Sequence, residues 1–191
     1  MLPRGSWLII GGFVMALAAG SPTEAASPWL GQWIWHPGDD VKTAVFRKTF
    51  DVRRTPAEAR IALTADDRYA FYLNGKLVDE SDRWQSIEVY NVEQYLRIGR
   101  NVIAVRATND GGHAGLLVEG SVTYGPTEFT PILSDETWKV EHREAPGWAD
   151  PGTDDSAWAN AKVIARPPGG PWGEIFHPQT LPALFAPIEH L

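Results

Sequence analysis

The sequence contains no cysteine in 191 residues, and it has fewer basic than acidic side chains. Without cysteine there are no disulfides and no lipoprotein attachment thiol, so the fold is stabilised by its core alone. Lys and Arg number 17 against 24 Asp and Glu, which gives a formal net charge of −7. This charge argues against nucleic acid or an anionic membrane as the main partner, because both bind basic surfaces.

The sequence also lacks helical periodicity. After the first twenty residues no stretch of 12 residues keeps a clean helical pattern, whereas 18 glycines and 15 prolines indicate many turns. The apolar fraction of 43% is sufficient for a sizeable core, and the charged fraction of 21% is lower than in disordered chains. These features favour one all-β domain, an antiparallel jelly-roll β-sandwich built from about eight short strands.

Recognisable catalytic motifs are missing as well. Ser156 lacks a nucleophile-elbow context, the five histidines show no His-x-x-x-His spacing, and there is no phosphate-binding glycine loop. Carboxylates are abundant, but no pair is distinguished by its setting as the two facing acids of a glycosidase. The sequence therefore predicts that the chain is not itself an enzyme.

The first 26 residues have the pattern of an export signal. Arg4 precedes a short apolar stretch at residues 7–19, and small residues follow, with cleavage predicted after Gly20, Ala25 or Ala26. The stretch is too short to span a bilayer comfortably, although an uncleaved anchor is the alternative. We predict a secreted or periplasmic protein without an integral membrane domain, consisting of a signal peptide at 1–26, a sandwich at 27–173 and an extended or disordered tail at 174–191.

Residues 64–75 form the most informative stretch of the chain. Apolar side chains alternate with polar ones before and after the acidic pair Asp66-Asp67, as in two strands that each bury one face. Asn74-Gly75 then predicts a tight hairpin turn. Two adjacent carboxylates at a corner between strands repel each other unless water, a cation or hydrogen-bond donors compensate. This corner is our candidate site.

Several motifs together resemble a known family. They are Trp33-Ile34-Trp35, Ala65-Asp66-Asp67-Arg68-Tyr69, Tyr72-Leu73-Asn74-Gly75, Asn101-Val102-Ile103-Ala104-Val105 and Asp154-Asp155-Ser156-Ala157-Trp158. Their order resembles the N-terminal jelly-roll domain of bacterial α-L-rhamnosidases, a galactose-binding-like module that includes rhamnose-binding carbohydrate-binding modules. The resemblance covers residues 29–172 and implies the same β-sandwich.

The resemblance also implies a ligand site. In such modules a sugar and a calcium ion meet at a loop end built from adjacent acidic or amide residues. The matching positions here are Asp66, Asp67 and Asn109 for the calcium ion, with Asp110 from the facing loop. Some rhamnose-binding members carry Asp-Asn where this chain has Asp-Asp. The implied function is calcium-assisted, non-catalytic binding of a neutral sugar such as rhamnose or galactose, without the (α/α)6 catalytic barrel but in support of a partner glycoside hydrolase.

Four further side chains complete the predicted ligand site: Tyr69, Arg83, Trp84 and His113. The aromatic rings would flank a sugar, and Arg83 and His113 would donate to its hydroxyls. The alternatives are that His113 is only a solvated loop residue, and that Asp66 or Asp67 caps the hairpin by accepting backbone N–H bonds. Four of the nine tryptophans are predicted to be core residues rather than a sugar platform: Trp33, Trp35, Trp138 and Trp158.

Two other functions remain open from the sequence. One is a protein-interaction or architectural module of the cell envelope, which predicts a broad apolar patch instead of a polar site beside Asp66-Asp67. The other is an accessory remnant of a larger glycoside hydrolase.

Overall fold

The structure is a computed structural model that describes residues 29–173. It consists of two antiparallel β-sheets. The predicted signal segment and the predicted tail lie outside the described residues. The strands are β1 (Trp33–Trp35), β2 (Thr43–Val52), β3 (Glu58–Asp66), β4 (Arg68–Leu73), β5 (Lys76–Ser81), β6 (Glu88–Asn91), β7 (Gly99–Thr108), β8 (Gly115–Gly125), β9 (Glu128–Leu133), β10 (Lys139–Glu141), β11 (Ala159–Asn160) and β12 (Lys162–Ala165), with one 3-10 turn at Glu93–Tyr95. This architecture confirms the predicted all-β sandwich.

The strand order brings two crossings between the sheets to the same end of the sandwich. One sheet, here sheet A, has the order β12-β1-β8-β3-β6, with β9 also paired to β8, and sheet B has the order β11-β10-β2-β7-β4-β5. The register pairs Asp66 at the end of β3 with Gly115 at the start of β8. It also pairs Arg68 at the start of β4 with Thr108 at the end of β7. The β3–β4 corner and the β7–β8 loop therefore face each other.

The main core lies between the two sheets and follows the predicted alternation. Ile61 and Leu63 of β3 and Phe71 and Leu73 of β4 are fully buried there. The hairpin between β4 and β5 is also as predicted, since Asn74 and Gly75 both have positive φ, 53° and 80°. A side chain pattern with a period of two is thus sufficient to place these strands correctly.

A second cluster covers the opposite face of sheet A. This tryptophan cluster consists of Trp29, Trp33, Ala62, Leu117 and Trp172. Leu116 and Val118 belong to the core between the sheets, so Leu117 points to the other face of β8. Trp35 and Trp138 lie between the sheets as predicted, whereas Trp33 is buried in the tryptophan cluster.

A third cluster covers the outer face of sheet B. Trp148 and Ala149 pack there on Val45 and Ala104, with the half-buried ring of Trp158 beside them. The predicted core residue Trp158 therefore packs on the outside of a sheet and not between the sheets. The fully buried Arg47 of β2 donates to Asp155 in the segment that carries the rings of Trp148 and Trp158.

Among residues 29–173, no helix is long and apolar enough to cross a membrane.

Candidate functional site

The acidic corner at Asp67 connects sheet A to sheet B, and one hydrogen bond each ties it to the end of β7 and to the loop that follows β7. The Asp67 N–H donates to the carbonyl of Thr108 at 2.8 Å. The Oδ2 atom of Asp67 accepts the backbone N–H of Asp110 at 2.6 Å. The peptide bond between Asp66 and Asp67 is cis. Asp67 thus does accept a backbone N–H, but the donor belongs to the facing loop and not to its own hairpin.

The facing loop, residues 109–114, is held in place at its first residue. The Asn109 N–H donates to the Lys42 carbonyl at 2.7 Å, and the Asn109 side-chain oxygen accepts the Gly111 N–H at 2.9 Å. Asp110 forms an ion pair of 2.7 Å with Arg68, and both side chains are more than half exposed. The loop therefore presents the amide of Asn109 and the carboxylate of Asp110 on the same end of the sandwich as Asp67.

Asp66 points to the outer face of sheet A and is only 7% exposed. Its Oδ2 atom accepts the indole N–H of Trp172 at 2.9 Å. The Trp172 ring stacks on Trp33 with 4.1 Å between centroids, and the His113 ring meets its edge at 6.5 Å. Trp172 therefore determines the surroundings of Asp66, although it lies 106 residues further along the chain and is not among the predicted site residues.

The Asp66 carboxyl is protonated more easily than an ordinary aspartate. Burial is the largest cause and, together with the neighbouring Asp67 carboxylate, it raises the pKa of Asp66 to about 6, while the Trp172 hydrogen bond and His113 act in the opposite direction. Two carboxyl groups in contact, one of them buried, favour either a shared proton or a bound cation. A cation at this corner would relieve the repulsion that raises the pKa.

The other predicted ligand residues differ in their burial and in their contacts. Trp84 is half-buried and packs against the tryptophan cluster. Its backbone carbonyl accepts a hydrogen bond of 2.8 Å from the hydroxyl of Thr64, which lies two residues before Asp66 on the same face of β3. Arg83 is mainly exposed and donates to Glu88 at 3.0 Å. Tyr69 is 4% exposed in the core between the sheets, where its hydroxyl bonds that of Tyr90 at 2.7 Å. Tyr69 therefore has no open ring face to offer a sugar.

Two grooves lie beside the strands and the loop that adjoin the corner. A cleft of about 420 Å³ separates residues 37–42 from the 109–114 loop, and Asn109 and His113 line it. A more polar groove of about 750 Å³ lies on the outer face of sheet B, with Arg68 and Thr108 at its end. Both have the volume of a small-molecule site. The residues that line these two grooves include neighbours of the corner but neither Asp66 nor Asp67.

Gly115 is required for the indole stack beside Asp66. A Cβ atom at this position would lie 2.5 Å from Trp172 Cζ2 and 2.7 Å from Trp33 Cε3. We expect Gly115→Ala to push the Trp172 ring off Trp33 and to lower the free energy of unfolding by about 1–3 kcal/mol. Chemical denaturation followed by tryptophan fluorescence measures this, with near-UV circular dichroism reporting the loss of the stacked pair.

Gly125→Ala is the matched control, since Gly125 lies in the same strand and a Cβ atom there has nothing within 4 Å. Equal stabilities for the two variants would show that the Trp172 ring is not fixed against Gly115.

Comparisons with known proteins point to one group of enzymes. No known sequence-family profile matches the chain. An α-L-rhamnosidase from Streptomyces avermitilis is 35% identical in an alignment of 167 residues that covers 80% of this chain but only 16% of that enzyme. The solved structure of the S. avermitilis α-L-rhamnosidase in complex with L-rhamnose matches with a TM-score of 0.72 and 33% identity, over 79% of this chain and 16% of that one.

Two further solved structures share the fold. A lectin from Pleurotus ostreatus in complex with GalNAc has a TM-score of 0.70 and 29% identity, over 78% of this chain and 46% of the lectin. A rhamnosidase of family GH78 from Bacillus sp. GL1 has a TM-score of 0.66 and 26% identity, over 76% of this chain and 19% of the enzyme. The resemblance predicted from the sequence is therefore confirmed, and the chain is homologous to one β-sandwich domain of α-L-rhamnosidases.

Proposed function

We propose that this chain is a non-catalytic carbohydrate-binding module that holds a neutral sugar, such as L-rhamnose or galactose, with the help of a calcium ion. The observation that carries the proposal is the convergence of Asp66, Asp67 and Asn109 at one end of the sandwich. The homologous rhamnosidase and the neighbouring lectin support a sugar as the ligand. On the basis of residues 1–26, we also propose that the module acts outside the cytoplasm, as a partner of a glycoside hydrolase.

The donor set fits calcium. This hard cation takes six to eight oxygen ligands from carboxylates, amides, carbonyls and hydroxyls. Asp66 and Asp67 supply two carboxylates, and each of their oxygens that accepts an N–H retains a second lone pair. Asn109 would add its side-chain oxygen, and the hydroxyls of a sugar diol would occupy further positions. The ion would supply orientation and charge, and the protein groups would hold it at the corner.

The neighbouring side chains fit a sugar bound beside this corner. His113 lines the adjacent cleft and carries ring N–H and N groups that hydrogen-bond hydroxyls. Trp84 is only half-buried, on the face of sheet A that carries Asp66. The indole of Trp172 is 7% exposed and stacked on Trp33, so its role is to orient Asp66 and not to stack on a sugar.

The same geometry supports a non-catalytic role. Glycosidases place two carboxyl groups about 5 to 9.5 Å apart on opposite sides of the scissile bond. The Asp66 and Asp67 carboxyls belong to adjacent residues and interact directly with each other, so they are not two separated acids that face each other across a cleft.

An interaction module would expose a broad apolar patch. Within residues 29–173, the large apolar side chains that are exposed are Leu30, Leu77, Ile98 and Ile164. Leu77 lies on an edge strand of sheet B and Ile164 on an edge strand of sheet A, whereas Leu30 and Ile98 lie outside the strands. This distribution favours the sugar-binding proposal over protein docking.

Calcium affinity should fall as the pH is lowered through 6. The pKa of Asp66 is about 6, and calcium binds the ionised carboxylate, so protons and calcium compete for this group. With one proton in competition, the affinity at pH 5 should be about tenfold weaker than at pH 7. Isothermal titration of calcium across this pH range measures the effect, and an affinity that is constant between pH 5 and 7 would exclude Asp66 as a ligand.

Titration calorimetry with L-rhamnose and D-galactose tests the proposal as a whole. We expect heat of binding with calcium present and none after chelation. Because a shallow site buries little surface, a single sugar should bind weakly, and oligosaccharides should be titrated in parallel. The absence of binding to any glycan in the presence of calcium would refute the proposal.

A further inference from the structure

A cluster of side chains of the types that bind metals lies outside the Asp66–Asp67 pair, near one edge of the sandwich. His36 directly follows β1 of sheet A, while Glu141 ends β10 of sheet B and His142 follows it. Their potential ligand atoms, one from each residue, lie within 4.8 Å of one another. We propose that His36, Glu141 and His142 form a site for one divalent transition-metal ion, of which Zn²⁺ fits best, and that the ion links the two sheets.

The positions of the side chains require only a small closure to hold zinc. In a tetrahedral site with bonds of about 2.0–2.1 Å, two ligand atoms are roughly 3.3 Å apart. The two imidazole rings already meet edge to face, with 5.8 Å between centroids. The side chains of His142 and Glu141 are 48% and 34% exposed, so they can rotate by the distance required.

The cluster is held together now by contacts that a metal ion would replace. Glu141 Oε1 is paired with His142 Nδ1 and also accepts the His142 backbone N–H at 2.7 Å. His36 Nδ1 accepts the N–H of Gly38 at 2.9 Å. A neutral imidazole has one lone pair, so a metal on His36 must displace the Gly38 N–H. Release of the Gly38 amide is therefore a specific signature of metal binding at this site.

The ligand types select the metal. Two imidazoles and one carboxylate suit Zn²⁺ and its transition-metal neighbours, with a fourth position left for water, whereas calcium prefers six to eight oxygens. The site is therefore chemically distinct from the Asp66–Asp67 corner, and the inference does not depend on the proposed sugar binding. The ion would also fix the start of the 37–42 segment, which forms one wall of the cleft beside Asn109.

Thermal unfolding of the full, tag-free chain after chelator treatment tests the site. At a zinc concentration about 100-fold above Kd, we expect the melting temperature to rise by roughly 5–10 °C. His36→Ala and His142→Ala should abolish this rise, whereas His113→Ala, a histidine outside the cluster, should keep it. Asp66→Asn should keep it as well, which separates this site from the proposed calcium site. A zinc-dependent rise that survives in His36→Ala and His142→Ala would overturn the inference.

A second measurement does not depend on the variants. Adding Co²⁺ to the wild-type protein should give the intense visible absorption of a four-coordinate ion, and Zn²⁺ should shift the NMR signal of the Gly38 amide. A Gly38 amide that does not respond to saturating zinc would refute the site even if the histidine variants fail to fold.

Discussion

Replacing Asp66 with asparagine is expected to stabilise the calcium-free protein at pH 7 while it weakens calcium-dependent sugar binding. The variant Asp66→Asn keeps a side-chain oxygen that accepts the indole N–H of Trp172, which Asp66 now accepts at 2.9 Å. It removes only the buried negative charge beside Asp67. The same substitution therefore separates stability from binding, which a general structural defect would not do.

The sign of the stability change follows from the direction of the pKa shift. The pKa of Asp66 is raised from 3.8 to about 6 in the folded state, so the folded state binds a proton more tightly than the unfolded state does. Its contribution to stability is present below about pH 4 and is lost as the pH rises to 6. At pH 7 the ionised group costs about 1–3 kcal/mol, which asparagine should recover. The gain should grow between pH 4 and 6 and stay constant above.

Binding should change in the opposite direction. Loss of a charged ligand should weaken calcium-dependent sugar binding by at least roughly 10–100-fold, the range found even for groups that only support a metal ligand. Chemical denaturation in chelator and calorimetry with calcium and L-rhamnose measure the two effects. Asp51→Asn is the matched control, because it removes the same charge from an exposed side chain. Asp51 lies at the end of β2 that is far from the corner, since Thr43 at the other end of β2 pairs with Thr108. A variant that is both less stable and fully able to bind would contradict both assignments.

Removing Arg47 is expected to give the largest loss of stability. Arg47 is fully buried in β2, and its Nε donates to Asp155 at 2.8 Å. Its other nitrogens donate to the carbonyls of Trp148, Asp150 and Thr153. One side chain thus satisfies a carboxylate and three carbonyls of a segment without regular secondary structure, and it holds that segment on the outer face of sheet B.

Arg47→Ala should lower the free energy of unfolding by about 3–5 kcal/mol, because it leaves Asp155 and buried carbonyls without their donor. Denaturant unfolding gives this value, and hydrogen exchange should show loss of protection in residues 147–158. Arg106→Ala is the control, since Arg106 lies on the same face of sheet B but pairs with Glu80 and Glu144 near the surface. Arg106→Ala should lower the free energy of unfolding by less than about 1 kcal/mol. Similar losses in both variants would show that the Arg47 network does not anchor the segment.

The sequence predicted the strands better than the surroundings of the site. Alternating side chains determined β3 and β4, and Asn74-Gly75 determined the hairpin, because these signals are local. The pair Asp66-Asp67 was also recognised, since it interrupts that alternation. Tyr69 shows the limit of such reasoning. It lies close to the pair along the chain, but the alternation that places it in a strand also turns its ring into the core.

The partners of Asp66 and Asp67 come from distant parts of the chain. Asp67 bonds the loop after β7, and Asp66 bonds Trp172, which follows the last strand. His36 and His142 meet only because the fold brings together the ends of β1 and β10, each the second strand from the end of its sheet. Histidine spacing along the sequence gave no indication of this cluster.

The acidic corner is therefore determined partly by the local sequence and partly by the tertiary structure. The sequence by itself determined that two carboxylates occupy the turn between two strands, because local alternation and turn chemistry place them there. Only the tertiary structure decided that one of them is buried beneath an indole and that the other is bonded to a facing loop. The physical reason is that burial and pKa depend on which segments the strand order brings together, and that order is set by packing across the whole sandwich.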